Sequence, residues 1–120
     1  MATSNKVMLV EDDATMQAVL RTLLEIEGYQ VFLAPAKLKL DELIQSIRDA
    51  MPDIILLDVH LRDLSGYDIV RCIREDSAIA GARVVMTSGM DVKERCMAAG
   101  ADDFLLKPYM PDELIRKLQG

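Results

Sequence analysis

Short apolar runs alternate along this chain with stretches in which apolar residues recur every three or four positions. The runs are "KVMLVE" (6–11), "QVFLA" (30–34), "DIILLD" (53–58), "RVVMTS" (83–88) and "DFLL" (103–106). Apolar runs of this length predict strands covered on both faces. Between the first two, residues 14–27 place Met16, Val19, Leu20, Leu23 and Leu24 on one helical face, with Gly28 as the C′ residue. Leu40, Leu43, Ile44 and Ile47 stripe a second helix that Pro52 stops. Residues 66–75 predict a third helix, with Ile69, Val70 and Ile73 inward. Residues 91–99 predict a fourth, ended by Gly100, and Pro111 opens a last one carrying Leu114, Ile115 and Leu118.

Five β-α units predict an α/β fold: a doubly wound five-stranded parallel sheet, five helices on its two faces, and right-handed crossovers. A chain of 120 residues is one domain (1–120) with enough length for a real core.

Composition narrows the function. Apolar residues are 51% and charged residues 28%, as in ordinary globular chains. A net charge of −6 argues against direct nucleic-acid binding. "MATSNKVMLV" lacks the ordered signature of a signal peptide, and no apolar stretch reaches the roughly 18 residues of a membrane span. Cys72 and Cys96 form no CxxC and read as reduced thiols. A cytoplasmic protein without a membrane partner is expected.

The strand ends carry the chemistry. A carboxylate, Asp58, closes an apolar run, where ionisation is costly. Parallel strands put their C-termini on one edge, where open α/β sheets bind ligands. That edge also receives Glu11-Asp12-Asp13, Thr87-Ser88 and Lys107-Pro108.

With those residues in place, the sequence resembles a receiver domain of two-component response regulators. The likeness runs through "VMLVEDDATMQAVLRTLL", "PDIILLDVHLRDLSGYDIV", "ARVVMTSG" and "AAGADDFLLKPYMPDEL". It implies a flavodoxin-like strand order of 2-1-3-4-5, with Glu11 and Asp12 as the acid pair and Asp58 as the phosphoacceptor. Thr87 becomes the switch hydroxyl, Lys107 the phosphate-facing lysine and Phe104 the switch aromatic, turning inward when Thr87 moves. Asp12 and Asp58 are the expected direct ligands of Mg²⁺, Glu11 acts through water, and the backbone carbonyl of His60 completes the protein ligands. A histidine kinase or phosphotransfer protein is the expected donor partner. The helix 4–strand 5–helix 5 face, roughly residues 91–119, is expected to meet an output partner or domain. The His60 side chain and the position of Gly89 would flank the water path to the acyl phosphate.

Elementary chemistry agrees. Two like charges about 4 Å apart repel by roughly 4 kcal/mol at an effective dielectric near 20, so three clustered acids need a cation. Mg²⁺ suits a site of one or two carboxylates, waters and phosphate oxygens. The protein reads as a signalling module rather than a turnover enzyme.

Other readings have less support. A haloacid-dehalogenase-type phosphatase would want a second Asp two residues after Asp58, where His60 stands. A pseudo-receiver that never takes phosphate is disfavoured by the intact acids, Thr87 and Lys107. A flavodoxin-type flavin binder would find "EDD" repelling its phosphate.

The chain departs from the family at four places. Arg62 stands where the family usually has Pro, which predicts a looser loop. "APAKLKLDE" is slightly long, the stretch from Thr87 to Lys107 is slightly short, and the last helix ends early, by Gln119.

Overall fold

The computed structural model describes residues 5–35 and 38–120. Residues 1–4, read above for a leader, and Ala36 and Lys37 of the stretch after the second strand lie outside the described residues. The order is β1 (Lys6–Val10), α1 (Ala14–Ile26), β2 (Gln30–Leu33), α2 (Leu40–Ala50), β3 (Ile54–Asp58), α3 (Gly66–Glu75), β4 (Arg83–Ser88), α4 (Lys93–Ala99), β5 (Asp103–Leu106) and α5 (Pro111–Gln119). All strands are parallel in the order β2-β1-β3-β4-β5. The doubly wound α/β expectation holds in every element.

The apolar runs become strands because helices cover both faces. Met8, Ile55, Leu57, Val84 and Met86 pack under α2, α3 and α4, while Val7, Leu9, Leu56, Val85 and Leu105 pack under α1 and α5. Every residue of β3 is buried. Among the described residues, no helix is long and apolar enough to cross a membrane.

Helix ends follow local chemistry. The Asp13 carboxylate accepts the Met16 amide at 3.0 Å and caps α1, which Gly28 leaves at φ +95°. Left-handed Met51 (φ 48°) closes α2 one residue before Pro52, so Pro52 only follows a helix already ended. Ser65 caps α3 by accepting the Tyr67 amide at 3.2 Å. α4 starts at Lys93 rather than at 91: half-buried Val92 has non-helical dihedrals and packs against the core, and its carbonyl accepts the Cys96 amide.

Two contacts set the register around the sheet edge. A Cβ on Gly66 would lie 2.5 Å from the Asp58 carbonyl oxygen, so only glycine lets α3 begin against the end of β3. Arg74 reaches from α3 to the Gly100, Ala80 and Ala82 carbonyls and to the Asp102 carboxylate at 2.7–2.8 Å.

Candidate functional site

Asp58 ends β3 between β1 and β4, paired with Thr87, and is 9% exposed. A carboxylate so enclosed needs partners to stay charged. Lys107 supplies the main one: its Nζ stands 3.2 Å from Asp58 Oδ2 and 3.3 Å from Glu11 Oε1. The Lys107 amide donates to the Ser88 carbonyl at 2.8 Å, which seats the residue after β5, and the Lys107–Pro108 peptide is cis. Burial alone would lower the Lys107 pKa, but the charges and hydrogen bonds of Asp58 and Glu11 outweigh it and hold the ammonium above its ordinary value. The amide of His60 donates to Asp58 Oδ1 at 3.3 Å.

The three acids after β1 have separate tasks. Glu11 faces Lys107 and also accepts the Asp13 amide at 3.1 Å. Asp13 caps α1. Asp12 is exposed, and its Oδ2 accepts the backbone amide of Arg62 from across the crevice. Gln17 Nε2 donates to the Glu11 carbonyl and fixes the turn. Glu11, Asp12, Asp58, His60, Arg62 and Lys107 line one open cleft of about 600 Å³.

The sequence-predicted residues thus converge, with three qualifications. Glu11, Asp12 and Asp58 do not close on one point as a cage: no group of three such ligands stands ready among the described residues. Glu11 is turned to Lys107 and Asp12 to Arg62, so the cleft presents spread carboxylates, open to water. Phe104 is already inward, 6% exposed, in the core under α2–α4 beside its strand neighbour Met86. Arg62, where the family usually has proline, brings a tie as well as freedom to its loop. Its amide ties that loop to Asp12, a bond proline cannot donate.

Thr87, 3% exposed, lines a narrow crevice on the other face with Leu9, Glu11, Leu20, Leu56, Asp58 and Tyr109. Tyr109 was not foreseen as part of the site. Burial, then the Glu11 and Asp58 charges, push its phenol up to about 12. The signal was there: an aromatic two residues after the lysine, which must return to the core beside it.

Residues 7–119 match the family model of the response regulator receiver domain. The chain is 33% identical over 119 residues to the probable transcriptional regulator ycf27 of Guillardia theta, covering 98% of this chain and 45% of that protein. It spans about half the length of the curated relatives it matches. Among solved structures, the receiver domain of sensor histidine kinase PA1611 from Pseudomonas aeruginosa, which has a magnesium ion in its active-site cleft, superposes with a TM-score of 0.83. It is 30% identical, with 98% of this chain and 96% of that chain covered. Chemotaxis protein CheY4 of Vibrio cholerae superposes with a TM-score of 0.85 at 26% identity, with 98% of each chain covered.

Proposed function

This chain belongs to the response regulator receiver domain family, and from that premise we propose that it is a Mg²⁺-dependent phosphoacceptor switch with Asp58 as the acceptor. The observation that carries the reading is the Lys107 ammonium bridging Asp58 and Glu11 at the C-terminal edge of the sheet, 3.2 and 3.3 Å away.

The donor is a phosphohistidine of a partner histidine kinase or phosphotransfer protein. An Asp58 oxygen attacks its phosphorus in line. A P–O bond forms, the P–N bond breaks, and the imidazole leaves with a proton from solvent. Lys107 offsets the charge that gathers on the transferring oxygens. The donor set fits a hard cation: Glu11, Asp12 and Asp58 line one cleft open to water, with the Lys107 ammonium on Glu11 and Asp58 and the Arg62 amide on Asp12. Asp12 and Asp58 would hold Mg²⁺ directly with the His60 carbonyl, and Glu11 would act through water. The ion supplies charge neutralisation at the phosphoryl oxygens when bound. The Thr87 hydroxyl donates to a phosphoryl oxygen in the product.

The product is a signal rather than a released metabolite, so the domain acts as a switch and not as a turnover enzyme. Its reader, an output partner or domain, meets the α4–β5–α5 face. Met97 and Leu106 on that face, and Met90 and Met110 in the loops leading into α4 and α5, are exposed large apolar side chains that suit contact with another protein.

Intact mass after incubation with Mg²⁺ and acetyl phosphate or phosphoramidate tests the proposal. The gain of one phosphoryl group, absent without Mg²⁺ and absent in Asp58→Asn, is expected. Unchanged mass in the wild type, or continued gain in Asp58→Asn, overturns it.

A further inference from the structure

Asp12 differs from its neighbours in how it is held. Glu11 faces the side-chain ammonium of Lys107, and Asp13 caps the N-terminus of α1. The Asp12 carboxylate is exposed, and its hydrogen bond comes from the backbone of Arg62, fifty residues along the chain. The donor is placed by the course of the loop after β3 and not by a rotamer. Leu61 and Leu64 pack against the core under α2 and α3. Ser65 caps α3, and a bridge between His60 and Ser65 narrows the loop. These anchors leave the amide of residue 62 on the rim of the cleft, facing Asp12.

We infer that the backbone amide of Arg62 is a positioning group for Asp12 as a divalent-cation ligand, holding Oδ2 and so fixing how the carboxylate stands at the cleft. The inference rests on the Mg²⁺ reading of the site given above. Carboxylates that ligate metals are themselves oriented by outer hydrogen bonds, and losing such a partner weakens metal binding about 10- to 100-fold. Without the amide, an exposed carboxylate is free to rotate, and its ordering would have to accompany ion binding. Proline at residue 62 could not serve, since it has no N–H. The residue that seemed to relax the loop is in this account the source of the donor.

The test needs no phosphoryl donor. Mg²⁺ is titrated into wild type, Arg62→Pro, Arg62→Ala and Asp12→Ala, and affinity is read from amide chemical shifts, with circular dichroism checking the fold. Arg62→Pro is expected to bind Mg²⁺ about tenfold or more weakly, while Arg62→Ala, which keeps the amide, stays within about threefold of wild type. Exchange of the Arg62 amide proton gives a measure independent of the proline variant: it is expected to be slow in the wild type, to remain slow at saturating Mg²⁺, and to become fast in Asp12→Ala. Wild-type affinity in Arg62→Pro, an equal loss in Arg62→Ala, or loss of Arg62 protection when Mg²⁺ binds overturns the inference. A different failure marks the underlying reading: wild type that does not bind Mg²⁺, or Asp12→Ala that binds as tightly, removes the ion site and this positioning role together.

Discussion

Thr87 and Phe104 leave neighbouring strands on opposite faces of the sheet. Thr87 lines the crevice with Leu9, Leu20, Leu56 and Tyr109 on the α1–α5 side, whereas Phe104 lies beside Met86 under α2–α4. A hydroxyl drawn towards a phosphoryl group on Asp58 therefore does not push on the ring across a shared face. At the end of β4, Ser88 accepts the Lys107 amide through its carbonyl and the Met90 amide through Oγ, which ties β4 both to Lys107 and to the loop before α4. Thr87→Ala should still take phosphate at Asp58 but transmit less. Amide shifts of residues 91–119 on adding beryllofluoride should fall well below those of wild type, and equal shifts would show that the signal does not start at Thr87.

The buried ring makes a second expectation. Phe104→Ala removes a core side chain, so it should lower unfolding stability by about 3 kcal/mol or more. Urea denaturation measures this. A loss under about 1 kcal/mol would mark a loosely held ring, free to move as a switch.

Lys107→Arg keeps the charge and changes its shape. The compact ammonium touches both Asp58 and Glu11, and a larger, planar guanidinium cannot take the same place between them. Phosphorylation by acetyl phosphate should slow, or the shifts induced by beryllofluoride should shrink. Wild-type values in both would show that charge alone suffices.

Gly66→Ala probes the seat of the acceptor. Its new Cβ would meet the Asp58 carbonyl and the Val59 backbone, neither of which can yield without moving β3 or α3. A stability loss of about 1–3 kcal/mol is expected, together with slower phosphorylation. An unchanged urea midpoint would contradict that packing.

Tyr109 gives a pH dependence of definite sign. Its folded pKa, about 12, lies above the ordinary value, so the folded state holds the proton more tightly. The stability this confers is complete below about pH 10 and is lost as pH rises from about 10 towards 12. Tyr29 is also raised, chiefly by burial, and contributes in both proteins compared. Denaturation midpoints measured from pH 9 to 12 should fall more steeply in wild type than in Tyr109→Phe. Parallel curves would remove Tyr109 from the alkaline transition.

Much of this was legible because the relevant forces act locally. Five apolar runs become strands, since a parallel sheet covered twice leaves them nowhere else to bury. Asp58, Thr87 and Lys107 could be placed together because parallel strands share an edge. The rest depended on the path of loops and on which side of a pleat a residue falls. The Arg62 amide is invisible in a side-chain pattern: the sequence records a missing proline, not where the N–H points. The side of the sheet each of Thr87 and Phe104 takes depends on the register of β5 on β4, which pairs Phe104 with Met86 and Thr87 with Leu105. The start of α4 slipped because burial of Val92 outweighed the helical pattern before it.

The two-sided core has a consequence for the face that a reader would use. α4 belongs to one packed layer and α5 to the other, and between them runs β5, a four-residue edge strand with a single neighbour, β4. A partner lying across α4 and α5 would clasp two layers that are otherwise joined there by one short ribbon. The strand between those helices leads directly into Lys107, so a contact made across them would lie one strand away from the ammonium that holds Asp58.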